Sequence, residues 1–312
     1  MAADPKAVQE NRAGISIEPQ SVHIGALLRG VDLSRPLVHE QREVIRDALL
    51  RWKVVFFRDQ CLGHASQIAF ARQFGALTPG HVVFGGDERY PEIYSVAKHR
   101  TANSNRAFLA YRPWTGWHTD ITAALNPPMA SILRGEVVPP YGGDTQWTNL
   151  AVAYQALSPL LRGFVDGLRG VHRFGEGGTR STQTYRERLE ARQLEAEHPL
   201  VRVHPETGER VLFVSPSFLK SIVGLAPHES DRLLELLWEH VVRPEFTVRF
   251  RWEPGSVAFW DNRATSHLAP RDIFDTDFER QFYRVTLVGD VPVGVEGVPS
   301  RAVAGDPIEA IS

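Results

Sequence analysis

Two histidines and one aspartate carry the chemistry that this sequence suggests first. In Trp117-His118-Thr119-Asp120 an imidazole and a carboxylate stand two residues apart inside an apolar run. On a strand, residues two apart face the same side, so His118 and Asp120 point together and Thr119 points away. His267, in FWDNRATSHLAPRD, offers a second imidazole just after another apolar strand. Together they would make a 2-His-1-carboxylate facial set, which leaves coordination positions open and suits non-haem Fe(II) oxygenases. The pair alone is a weak signal: with 12 histidines, chance supplies roughly one His-x-Asp in a chain of this length. A histidine–carboxylate hydrogen bond at a strand end is the plain alternative.

Arg280 and Arg284 follow in ERQFYRVTL, four apart and so on one face of a strand. A guanidinium cannot shed its charge, so two of them in an apolar strand need anionic partners. Structural salt bridges would satisfy them. A bound dicarboxylate would also do so, because arginine grips carboxylate in a fork.

The elements that must position these groups are mostly strands. Runs rich in Val, Ile, Phe and Trp recur between Gly, Pro and Asp, among them 15–17, 54–57, 92–97, 117–123, 130–138, 200–203, 211–214, 246–252, 256–260 and 282–288. In FTVRFRW, Phe246, Val248 and Phe250 share one face and Thr247, Arg249 and Arg251 the other. Helical spacing marks 40–52, 66–74 and 229–242, the last between Pro227 and Pro244. A fourth helix is expected after Asn149, acting as its N-cap. Strict strand–helix alternation is missing, which favours a jelly-roll core with flanking helices over a doubly wound parallel sheet. Residues 1–14 read as a flexible tail and 15–312 as one domain. Segments 80–116 and 175–197 are candidate lids. The second of these, dense in Arg and Glu, also reads as a solvated helix with paired surface charges.

Bulk properties exclude several classes. A net charge of −2 gives no field for nucleic acid or anionic membrane. Cys61 is the one cysteine and can build neither a disulfide nor a thiolate metal site by itself. The N-terminus lacks a secretory pattern, and no run approaches the roughly 18 apolar residues that span a bilayer. A cytoplasmic enzyme acting on a small molecule, as a homo-oligomer (dimer or tetramer), is the expectation.

WHTDITAALNPPMASILRGEVVPPYGGDTQWTN resembles the metal-binding segment of the taurine dioxygenase (TauD/TfdA-like) family of Fe(II)/2-oxoglutarate-dependent dioxygenases. WDNRATSHLAPRD with RQFYRVTLVGD resembles that family's distal-histidine and arginine segment, and IGALLRGVDLSRPL with WKVVFFRDQ its opening strands. HPLVRVHPETGERVLFV and the closing segment are similar to the branch that cleaves alkyl sulfate esters. The resemblance implies a mainly β, α+β fold with a double-stranded β-helix core. It implies Fe(II) on His118, Asp120 and His267, with 2-oxoglutarate and O2 as co-substrates. Thr145 and Arg280 would hold the far carboxylate of 2-oxoglutarate. Arg284 would lie near its other end and near the substrate's anionic head. His81, Ile121 and Phe174 would contact substrate. The implied reaction oxidises a C–H bond, coupled to conversion of 2-oxoglutarate to succinate and CO2. An alkyl sulfate or sulfonate substrate is expected. A hydroxylase or desaturase of an amino-acid-like or natural-product intermediate is the alternative, because the aromatic and basic stretch 84–117 departs from taurine-type enzymes. Outside that resemblance, a metal-free anion-binding jelly roll and a zinc hydrolase use the same residue types.

Overall fold

The computed structural model describes residues 10–97, 112–174, 187 and 192–311. Its centre is an eight-stranded sheet. In chain order its strands are β1 (Glu10–Arg12), β2 (Ile15–Pro19), β3 (Ala26–Arg29), β4 (Val54–Phe57), β5 (Tyr94–Ala97), β6 (Ala130–Val137), β14 (Val257–Asp261) and β16 (Gln281–Leu287). They lie side by side as β1-β2-β3-β4-β14-β6-β16-β5, antiparallel except for β3 on β4. A three-stranded sheet, β13 (Thr247–Phe250), β7 (Thr145–Asn149) and β15 (Thr265–Leu268), faces it in the order β13-β7-β15.

Alternation along the strands builds both layers. In β4 and β14, Val55, Phe57, Val257 and Phe259 point to one face, and Val54, Phe56, Ala258 and Trp260 to the other. The first face is covered by helices α1 (His39–Trp52) and α2 (His64–Ala71), whose stripe residues Val44, Ile45, Ala48, Leu49 and Ile68 are buried there. The second face packs on the smaller sheet: Phe56 stacks on Phe250 at 4.0 Å, and Trp147 meets Trp260 edge-on at 5.6 Å. This is a β-sheet sandwich flanked by helices, the α+β double-stranded β-helix expected. Phe56 is fully buried between the sheets. Phe56→Ala should therefore cost about 3–5 kcal/mol of unfolding free energy, read from the denaturant midpoint.

A third layer closes one end. Helices α3 (Leu150–Gln155), α4 (Pro159–Asp166) and α5 (Pro227–Val241) pack with β10 (Val201–Val203) and β11 (Arg210–Leu212). A four-stranded sheet stands beside them, β12 (Leu219–Ile222), β8 (Arg169–Arg173), β9 (Glu195–Pro199) and β17 (Arg301–Ala304), in the order β12-β8-β9-β17. Asn149 caps α3 as expected, its Oδ1 accepting from the N–H groups of Ala151 and Val152.

Two expectations need correction. Residues 117–123 are not a strand: His118 makes a single bridge, and 120–123 is a turn. The charged run 187–197 is not one solvated helix, because Glu195–Pro199 is strand β9 with Glu197 buried. Its charges pair across strands, Glu195 with Arg173 at 2.6 Å and Glu197 with Arg169 at 2.6 Å, instead of one helical turn apart. Strand β5, within the expected run 92–97, pairs to β16. The remaining lid positions 98–111, 175–186 and 188–191 lie outside the described residues. Among the described residues no helix is long and apolar enough to cross a membrane.

Candidate active site

His118 and His267 meet through their backbones. His118 N donates to His267 O at 2.9 Å and His267 N to His118 O at 2.7 Å. In such a hydrogen-bonded antiparallel pair the side chains are neighbours on one face, and the rings lie 4.2 Å apart. β15 carries His267 and is itself paired to β7, with His267 opposite Trp147. Asp120 reaches the same spot as the chain turns after the bridge. One donor atom from each of His118, Asp120 and His267 lies within 4.8 Å of the others.

The turn is held from outside. Ile121 adopts φ 47°, rare for a β-branched residue, and such strain costs roughly 1–3 kcal/mol that its surroundings must offset. The turn closes through Ala124 N to Ile121 O at 3.0 Å. The buried His198 donates from Nε2 to the carbonyls of Thr122 and Ala124 at 2.8 and 3.1 Å. His172 Nδ1 meets Thr122 Oγ1 at 2.9 Å. Burial, with Arg202 nearby, pushes His198 down from 6.5 to about 4. The native state thus keeps this ring neutral while the unfolded chain takes up a proton below pH 6.5. The His198 contribution to stability is complete above that pH, and roughly 3 kcal/mol of it should be lost as pH drops through 4. Chemical denaturation across pH 7 to 4 checks this, with the His198→Gln profile shallower than the parent's by that amount.

Electrostatics at the triad suit a cation. Burial by itself raises the Asp120 carboxyl, but Arg284 and the two imidazoles outweigh it and hold the group well below the usual range. Asp120 Oδ2 accepts from Ser131 Oγ at 2.6 Å and Oδ1 from Arg284 Nη1 at 2.5 Å. Burial depresses both His118 and His267, so both rings are neutral, as ligation requires. His118 Nδ1 lies 3.0 Å from Gly116 O and must donate to it, which leaves the Nε2 lone pair free. His267 Nε2 stands 4.0 Å from Asp120 Oδ1, while its buried Nδ1 has no hydrogen-bond partner among the described residues. Two neutral imidazoles and an ionised carboxylate on one spot fit a divalent metal ion.

The two arginines divide their roles. Arg284, on β16, pairs with Asp120 and lies over the Tyr94 ring at 5.4 Å. Arg280 is 7% exposed and has no carboxylate within pairing distance among the described residues. Its Nε donates to Gly143 O at 3.2 Å, and its guanidinium covers Phe282 at 3.8 Å. Burial pushes it down to about 10, with Asp272 and Asp144 opposing. Thr145, at the start of β7, accepts the Trp252 indole N–H at 3.0 Å, so its own hydroxyl proton is free for an acceptor. Gly143 ties the two together. It sits at φ 66°, and a Cβ there would come 3.1 Å from Arg280 Cδ. A buried cation bonded to Gly143, with a free hydroxyl two residues along the chain, is chemistry that suits a carboxylate.

The third group lines the other side. Val83 N and Phe84 N donate to His81 Nδ1 at 3.1 and 3.2 Å, so the proton of this ring sits on Nε2. Burial, then Arg284, pushes His81 down to about 3. Its ring lies 4.8 Å from Tyr94 and 6.0 Å from Phe174. Ile121 joins Val82 and Phe218 in a small buried cluster on which Phe174 packs. His81, Ile121 and Phe174 thus come together. In the stretch 84–117, Trp114 instead packs on Trp238 of α5 at 6.1 Å. Sequence reasoning missed Ser131, His198, Trp252 and Phe218. The paired glycines before Asp144 signalled a close approach at Gly143.

Residues 16–286 match the family described as taurine catabolism dioxygenase TauD, TfdA family. The chain is 41% identical to the alpha-ketoglutarate-dependent sulfate ester dioxygenase of Pseudomonas putida, over 96% of this chain and 97% of that protein. It is 36% identical to the alkylsulfatase of Acinetobacter baylyi, over 94% and 91% of the two chains. A crystal structure of a taurine dioxygenase from Burkholderia xenovorans is 62% identical, superposes with a TM-score of 0.84, and covers 94% of this chain and 96% of its own. With this sequence match, this sandwich and this set of metal donors, the chain belongs to the TauD/TfdA family and is a non-haem Fe(II)/2-oxoglutarate-dependent dioxygenase.

Proposed function

We propose that this enzyme oxidises the carbon bearing the anionic head of an alkyl sulfate or, secondarily, an alkyl sulfonate. One observation carries the reading: His81, locked as a neutral Nε2–H donor, stands with Arg284 beside an aromatic and aliphatic wall next to the three metal donors. A tetrahedral anion wants donors, and an alkyl chain wants the wall. The relatives named for sulfate esters and alkyl sulfates support the same assignment.

In this reading His118, Asp120 and His267 hold the iron. Arg280 and Thr145 grip the remote carboxylate of 2-oxoglutarate. Arg284 serves the near end of the co-substrate and the substrate's head. The bound iron and 2-oxoglutarate supply oxidation by O2, one oxygen atom going to the substrate carbon and one to succinate, with CO2 released. The protein's work is orientation and exclusion of water. His81 and Arg284 anchor the head so that its neighbouring carbon faces the metal, and Ile121 and Phe174 keep the chain dry. Hydroxylation at that carbon of a sulfate ester gives an adduct that loses sulfate and leaves an aldehyde. A sulfonate would lose sulfite. A cytoplasmic homo-oligomer, dimer or tetramer, completes the proposal, and light scattering on the purified protein checks its mass.

The test is a panel of alkyl sulfates, alkyl sulfonates, taurine, aryloxy acids and amino acids, scored for substrate-dependent succinate and for sulfate or sulfite release. Medium-chain alkyl sulfates should give succinate and sulfate in equal amounts. Succinate driven by amino acids or aryloxy acids, with sulfates inert, would replace this reading with the hydroxylase or desaturase alternative.

A further inference from the structure

We infer that Trp260, Asn262 and Ser131 form a one-way hydrogen-bond relay that reserves Oδ2 of Asp120, so that Oδ1, which accepts from Arg284 with one lone pair, is the oxygen that turns its other lone pair to the metal. The inference rests on the reading of His118, Asp120 and His267 as metal ligands. Trp260 is the source of the polarity, because an indole N–H can only donate. Its Nε1 donates to Asn262 Oδ1 at 2.8 Å. That fixes which way the Asn262 amide faces, so its Nδ2 donates to Ser131 Oγ at 2.9 Å. Ser131 has one proton, and with its Oγ already accepting, that proton goes to Asp120 Oδ2 at 2.6 Å. The last link is a short bond to an ionised acceptor, the strong kind.

The relay is buried throughout: Ser131 is 0%, Asn262 1%, Trp260 1% and Asp120 2% exposed. Burial keeps bulk water out, and the indole and the serine hydroxyl each have a single proton to give. Strand pairing builds it, since Ser131 of β6 lies directly opposite Trp260 of β14. Asn262 follows at the end of β14, with its backbone N donating to Met129 O at 2.9 Å. Oδ1 is the oxygen turned toward His267, 4.0 Å from its Nε2. Trp260 also packs 5.0 Å from the His267 ring, so one residue touches His267 directly and reaches Asp120 through the relay. Ser131, Asn262 and Trp260 are positioning residues, acting on the metal through Asp120.

Co(II) binding to the protein without 2-oxoglutarate, followed by its visible absorption, reads this without turnover. Ser131→Ala should weaken Co(II) binding by about 10–100-fold and shift the absorption bands. Asn262→Asp keeps the volume but cannot donate to Ser131, and should do the same. Trp260→Phe should weaken binding less, and the double variant Ser131→Ala/Trp260→Phe should bind no more weakly than Ser131→Ala alone. Parent-like affinity and spectrum in Ser131→Ala or in Asn262→Asp would overturn the relay. So would multiplying effects in the double variant, which would mean that Trp260 works through His267. A parent protein that takes up no Co(II), or keeps its affinity in His118→Ala, sinks the ligand reading and the relay with it. A binding parent with unaffected relay variants sinks the relay alone.

Discussion

His118→Ala should abolish substrate-dependent succinate formation and weaken Mn(II) or Co(II) binding by well over about 100-fold, beyond what loss of an outer partner of a ligand typically costs. The reason is geometric. Among the described residues the triad His118, Asp120 and His267 is the cluster that could hold a metal, and the His118 imidazole is held in a ligating tautomer that alanine cannot offer. Its backbone bridges His267, and its Nδ1 is spent on Gly116. Removing the imbalance by changing pH should not help, because no side chain in the proposed chemistry serves as a general base. Activity of the variant measured from pH 6 to 9 should stay flat at background. The backbone bridge needs no side chain, so the thermal midpoint of the metal-free variant should stay close to the parent's. Retained succinate formation in a folded variant would remove His118 from the site.

The second large effect concerns Arg280. Arg280→Ala should raise the KM for 2-oxoglutarate by about 30-fold or more, since truncating one partner of a buried charge pair costs about 2–5 kcal/mol. Arg280→Lys should fall between, because an ammonium offers a point charge where the guanidinium offers a fork. The metal-free protein should not lose stability, for Arg280 has no carboxylate to abandon among the described residues, and deleting an uncompensated buried charge is neutral or favourable. This split distinguishes a binding arginine from a structural one. Arg284 should behave in the opposite way, since its removal leaves Asp120 buried without its cation. Gly143→Ala should copy the Arg280 phenotype in milder form, its Cβ pressing on Arg280 Cδ. An unchanged 2-oxoglutarate KM in Arg280→Ala would place the remote carboxylate elsewhere.

Much of the site was legible in the chain. The donors His118, Asp120 and His267 follow from residue type together with the family resemblance, and they converge. The route to them differed: His118 and Asp120 share a side because a single bridge is followed by a turn at Ile121, not because a strand runs from 117 to 123. A period-2 pattern cannot report where a strand breaks. The helix stripes of α1 and α5 and the N-cap at Asn149 came through intact, because they depend on contacts within a few residues. Strand β9 was misjudged because Glu195 and Glu197 look solvated until Arg173, Arg169 and Arg301 stand across from them.

What the sequence determined alone was therefore the local chemistry: donor types, one-faced strands, capped helices, and a pair of arginines that must meet anions. What tertiary structure decided was pairing over long separations. It gave Asp120 to Arg284 and left Arg280 without a carboxylate among the described residues, it put Ser131 across from Trp260, and it set the His81 tautomer through two backbone N–H groups. Alternation fixes which face a side chain takes, but register between strands is chosen by the whole packed sandwich, and hydrogen-bond partners follow from register.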